Sequence, residues 1–78
     1  MLAHFGQRST ELYEQDLTIA REIGDKSGEA HASWNLGGAY EKLGELDKAL
    51  SLMQVYVDFL RAIGRPDAEK RAAHVNEL

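Results

Sequence analysis

The side chains that could do chemistry here are the three histidines, Ser33, the single tryptophan, Asn35 and some clustered carboxylates. His4, His31 and His74 are the candidate metal ligands or proton carriers. They form no i, i+4 pair, and there is no cysteine to complete a tetrahedral set. Ser33 is the candidate nucleophile, but no His/Asp constellation is recognisable around it. Glu11, Glu14 and Asp16, and separately Glu41 and Glu45, read as solvated helix surface rather than as a catalytic dyad. Gly37-Gly38 follows no strand and opens no helix, which excludes a phosphate loop. No catalytic residue, cofactor or metal is therefore expected, and the chemistry left is recognition. Trp34 is of the residue type enriched at binding hot spots. The neighbouring Asn35 offers a donor and an acceptor together.

The elements that carry these residues follow from spacing. The chain has 78 residues, no cysteine, nine basic and thirteen acidic side chains, and a net charge of −4. That length suits one small domain, which buries roughly 60% of its unfolded surface. Its core must be thin, with no disulfide to brace it. The acidic balance argues against a nucleic-acid partner. No apolar run approaches the ~20 residues of a membrane span. Met1 to Phe5 does not resemble a signal peptide, so a cytoplasmic location is expected.

Glycine marks the element ends. Ile23-Gly24, Leu43-Gly44 and Ile63-Gly64 recur every 20 residues. An apolar residue followed by glycine is a common helix stop, because glycine enters the left-handed conformation without a Cβ clash. Pro66 suits a first helical position. Ser27 or Asp67 could cap a helix start. Between the stops the apolar spacing is helical. It predicts helices over about 7–24, 28–43, 46–63 and 66–77. Their apolar positions are Leu12, Tyr13, Leu17, Ala20 and Ile23, then Ala30, Ser33, Leu36, Gly37, Tyr40 and Leu43. Ala49, Leu50, Met53, Tyr56, Val57, Leu60 and Ile63 follow, then Ala68, Ala72, Val75 and Leu78. The predicted class is all-α, with short connections that force antiparallel neighbours. Apart from Tyr13, Tyr40 and Tyr56 the inward positions are apolar, so no cofactor-holding bundle interior is expected.

A 40-residue period overlies the shorter one: Arg21, Ile23, Gly24, Glu29 and Ala32 align with Arg61, Ile63, Gly64, Glu69 and Ala72. A repeating helix pair is a solenoid signature. Glycine inside a helix costs about 1 kcal/mol. Close approach by a neighbouring helix is the compensation expected at Gly37, with Ala49 the small residue opposite.

The stretch Ala32 to Tyr40 resembles the first helix of a tetratricopeptide repeat. Leu36, Gly37 and Tyr40 match its Leu-Gly-x-x-Tyr, Leu43-Gly44-Glu45 its turn, and Ala49 its small second-helix residue. The long, 40-residue form found in the Leu-Gly-Asn polarity scaffolds is the most similar, over about Phe5 to Leu78. There are three departures. Ser33 fills the usual tryptophan slot, with Trp34 one residue later. Tyr56 occupies a small slot. Asn76-Glu77 stands where Leu36-Gly37 would recur, as in a capping helix or a repeat cut midway.

The resemblance implies a right-handed α-solenoid of about four helices forming one domain over 1–78. It divides into a partial repeat (1–27), a full repeat (28–66) and a partial or capping helix (67–78). It implies a protein–protein interaction module whose first helices line a groove for an extended peptide. Carried over, the groove residues are His31, Trp34, Asn35, Gly38, Glu41 and Lys42, then Arg71, His74 and Leu78. Trp34 has two readings, groove anchor or core side chain. Asn35 would bracket a peptide backbone. A carboxylate clamp for chaperone tails is disfavoured, because Trp34 sits where a clamp lysine is expected. The alternative function is self-association, since the first helix looks like half a repeat whose apolar face would pack on both sides. A homo-oligomer, a helix-exchanged oligomer or a slice of a longer array would each satisfy it.

Overall fold

The computed structural model describes residues 3–78, with side chains described from Thr10 onward. The side chains of His4 and Phe5 lie outside the described residues. Four helices follow in chain order: α1 (Ala3–Ile23), α2 (Lys26–Lys42), α3 (Leu46–Ala62) and α4 (Ala68–Glu77). No strand occurs among the described residues. The all-α expectation is met, and successive helices are antiparallel.

The three glycine stops are one structure repeated. Gly24, Gly44 and Gly64 have φ of 73°, 83° and 73°. In each, the residue after glycine donates its N–H to a carbonyl five residues back: Asp25 to Ala20, Glu45 to Tyr40 and Arg65 to Leu60, all at 2.9 Å. The glycine N–H itself bonds three residues back, to Arg21, Glu41 and Arg61. This double bond pattern satisfies the last carbonyls of a helix and requires positive φ at the glycine.

The starts differ from expectation in two places. Ser27 does not cap α2, because it already lies inside the helix. Asp25 does so instead, from extended backbone (φ −85°, ψ 93°), accepting the Gly28 N–H at 2.9 Å. Pro66 is not a first helical residue: it sits in a turn closed by the Ala68 N–H on the Arg65 carbonyl (3.2 Å), and α4 begins only at Ala68. Asp67 flanks that start without a side-chain cap bond, and its carboxylate lies 3.4 Å from Arg65 Nε.

Packing is one layer deep. The molecule measures 42 × 32 × 16 Å, and among the described residues helix backbones come close only between chain neighbours: α1 with α2, α2 with α3, α3 with α4; α2 and α4 meet through side chains alone. Leu17, Ala32 and Leu36 form one cluster, Met53, Val57 and Val75 another, and Ala30, Tyr56, Leu60 and Ala68 a third. At Gly37 α2 and α3 meet closely. A Cβ there would stand 2.8 Å from Met53 Cγ and 3.1 Å from the Ala49 carbonyl, and Ala49 itself is wholly buried. Several apolar positions of the helical pattern are exposed, namely Leu12, Ile23, Leu43 and Ile63. Ile23, Leu43 and Ile63 stand at or next to a helix end, where no neighbouring helix reaches them.

The 40-residue period is physical as well as sequential. Arg21 Nε pairs with Glu29 Oε2 at 3.2 Å, and Arg61 Nη2 with Glu69 Oε2 at 3.4 Å. Each pair bridges one glycine turn, at equivalent positions of the two copies.

Candidate functional site

A hollow opens between α2 and α4, floored by Met53 of α3. Trp34, Gly38 and Glu41 form the α2 wall, and Asp67, Lys70, Arg71 and His74 the α4 wall. Both walls are helical stripes: 34, 38 and 41 on α2, and 70, 71 and 74 on α4, with Asp67 just ahead of its first residue.

Trp34 joins core to hollow. It is half-buried and packs against two of the core clusters. Its ring lies 5.2 Å from that of Tyr56 and 5.6 Å from that of His74. The side chain thus packs on the core and also lines the hollow. Tyr56 fills the family's small slot and is almost wholly buried. It is the anvil for its neighbours, with His31 set edge-on at 5.2 Å. The Arg71 guanidinium stands 5.2 Å over Trp34 and 5.9 Å from the Tyr56 centroid. Such stacking attracts the cation to both ring faces and restrains it. It leaves guanidinium N–H groups free to meet an acceptor.

One histidine bond spans the hollow and another lies beside it. His74 Nε2–H donates to Glu41 Oε1 at 3.1 Å, tying α4 to α2. His31 Nδ1–H donates to the Ser27 carbonyl at 2.8 Å, one turn earlier on α2. Asp67 faces Arg65. No carboxylate among the described residues forms an ion pair with Lys70 or Arg71, although Glu41 and Asp67 line the same hollow.

Of the residues expected in the groove, the structure brings together Trp34, Gly38, Glu41, Arg71 and His74. His31 stands beside them on Tyr56. Asn35 and Lys42 are exposed on α2 but do not line the hollow, and Leu78 packs partly against the Met53, Val57 and Val75 cluster. Met53, Asp67 and Lys70 were not anticipated. The 67, 70/71, 74 spacing on the last helix was the available signal for the last two. Ser33 is wholly buried with no hydrogen-bond partner for its hydroxyl, so no substrate can reach it.

Comparison with known proteins gives a relative in human G-protein-signaling modulator 1, 50% identical over 42 residues. The match spans 54% of this chain and 6% of that protein. No family model matches the chain, and no solved structure matches it. The resemblance to the tetratricopeptide repeats of the Leu-Gly-Asn type is borne out by this relative. The chain is a tetratricopeptide-like helical module related to it.

Proposed function

We propose that this module holds an extended segment of a partner protein in the hollow between α2 and α4, as a binding scaffold without catalysis. On this reading α1 is the second helix of one repeat (1–27), α2 and α3 are a complete repeat (28–66), and α4 opens or caps another (67–78). The protein works in the cytoplasm, without nucleic acid or cofactor.

One observation carries the proposal. Gly38 costs helix stability, and nothing in the fold asks for it, because a Cβ there meets no atom within 4 Å. A bare backbone in the middle of the hollow's wall, beside a restrained tryptophan and guanidinium, is what close passage of another chain requires. The unpaired Lys70 and Arg71 favour a segment carrying an acidic side chain, with Arg71 supplying a forked donor. Asn35 and Lys42 lie further out on α2 and meet the segment only where it leaves the hollow.

The test is selection of binders from a random linear peptide library displayed on phage. Selected peptides are expected to share an acidic residue and to lose binding to Gly38→Gln and Arg71→Ala chains of unchanged helicity. Peptides that bind those two variants as well as the parent chain would overturn the reading.

A further inference from the structure

The two copies of the 40-residue period differ in what covers them. Helix α3 lies behind α2 and receives it on Leu52, Met53 and Tyr56. The equivalent positions of α1 are Leu12, Tyr13 and Asp16, with Ile19 at the place of Phe59. Among the described residues α1 packs on α2 alone. Tyr13 still packs on α2's cluster, but Leu12 is 51% and Ile19 55% exposed, whereas Leu52 and Phe59 are partly buried. Leu12, Asp16 and Ile19 fall on one stripe of α1. The internal repeat therefore states what kind of element belongs there, namely a helix of the α2 and α4 type.

Helix α4 is such a helix with an open side. In α2 the positions turned to α3 include Ala30, Trp34 and Gly37, with the wholly buried Ser33 between them. Their counterparts in α4 are Lys70, Ala73, His74 and Glu77, of which Lys70, Ala73 and Glu77 are exposed. Ala30 clusters with Tyr56 and Leu60. By equivalence Lys70 falls beside Asp16 of another copy.

We infer that the chain associates head to tail, α4 of one copy seating on the Leu12, Asp16 and Ile19 stripe of α1 in the next. Charge selects this arrangement over a two-fold pairing of α1 with α1, which would press two copies of Asp16 into one apolar contact. Head to tail, Asp16 meets Lys70 instead. The interface is heterologous, so copies add in a row and continue the α2–α3 packing across the junction. Glu77 limits it. At the equivalent place Gly37 admits the backbone of α3, and a glutamate there keeps the last turn of α4 from closing on its neighbour. Contact is concentrated in the first two turns of α4. This inference does not depend on the hollow holding a peptide.

The experiment is analytical ultracentrifugation of the 78-residue chain across a wide concentration range. The parent chain is expected to gain mass with concentration without a fixed upper limit. Leu12→Lys with Ile19→Lys blocks one end, and Ala73→Arg the other; all three positions are exposed, and unchanged circular dichroism confirms each fold. Each blocked chain alone should stay monomeric, and their equimolar mixture should give one heterodimer and nothing larger. Asp16→Lys should lose the association, and adding Lys70→Asp should restore it. Glu77→Gly should strengthen it. A parent chain that stays monomeric at millimolar concentration would overturn the inference. So would dimers that survive Ala73→Arg, or a double charge reversal that restores nothing.

Discussion

Gly37 and Gly38 are neighbours on α2 and face opposite worlds. A side chain at Gly37 would run into Met53 and the Ala49 carbonyl, while one at Gly38 would meet nothing within 4 Å. Both glycines weaken the helix to about the same degree. Only the first is repaid by packing, since it lets α2 and α3 close over the buried Ala49 and Met53. The lesson is that one helix serves two masters about 100° apart. Its α3-facing side is specified by shape, down to the missing Cβ. Its hollow-facing side includes a position, Gly38, that the fold leaves unconstrained.

The sharpest way to break this contrast is to put the same side chain on both sides. Gly37→Leu should destabilise by about 3 kcal/mol, the upper part of the range for overpacking, because Met53 and the α3 backbone must both give way. A domain of this size has roughly 4–12 kcal/mol in total, so the loss should be plain in chemical denaturation. Gly38→Leu should leave the melting temperature at or above that of the parent chain. If the two variants melt alike, α2 and α3 do not pack at Gly37 as described.

Ser33 sharpens the contrast from the buried side. Its hydroxyl is enclosed and has no hydrogen-bond partner, a burial that costs about 1–2 kcal/mol. Ser33→Ala removes the hydroxyl and improves helix propensity, so it should raise stability by roughly that amount in urea titrations. A loss of stability would mean the hydroxyl is bonded after all. Gly38→Ala should stabilise less, by about 1 kcal/mol or under, through helix propensity alone. Its use lies in separating terms: the gain in stability should come with unaltered oligomer mass.

Much of the fold was legible in the sequence. Helix stops were, because positive φ demands glycine and the three stops repeat. Helix starts were not. Either Asp25 or Ser27 could have capped α2, and the choice depends on which side chain reaches the Gly28 N–H, a matter of backbone angle that composition does not carry. Pro66 misled for a related reason: proline fits a first helical turn and a tight turn equally well, and here Arg65 to Ala68 close as the latter. Within the candidate site, the family resemblance put Trp34, Gly38, Glu41, Arg71 and His74 in one groove, and the helical wheel of α2 put Trp34 and Gly38 on one stripe. It also admitted Asn35 and Lys42, which the hollow leaves out. A wheel orders residues around one axis, whereas the walls of the hollow depend on where α4 crosses α2. Tyr56 decides how Trp34, His31 and Arg71 stack, and only its unusual slot hinted at that.

The smallest expected effect concerns the third side of α2, the one against α1. Tyr40 packs on the Leu17, Ala32 and Leu36 cluster, and its hydroxyl donates to Glu14 Oε1 at 2.8 Å. That donated bond is the main reason its pKa is raised above the usual 10.0, with desolvation and the charges of Glu14 and Glu45 adding to it. A tyrosine whose pKa is raised on folding stabilises while it is protonated. The contribution is complete below the unfolded value near 10 and is lost as pH rises through the folded value. Stability should therefore fall on the alkaline side of pH 10 and be unaffected by this group at neutral pH. Tyr40→Phe should lower stability at pH 7 through the lost bond, by under about 1 kcal/mol because Glu14 is exposed. It should also flatten the alkaline limb of a pH series of thermal melts. An alkaline limb equally steep in Tyr40→Phe and parent chain would show that the clasp between α1 and α2 rests on packing alone. The α1 side of α2 would then be held as its α3 side is, by shape without a polar tie.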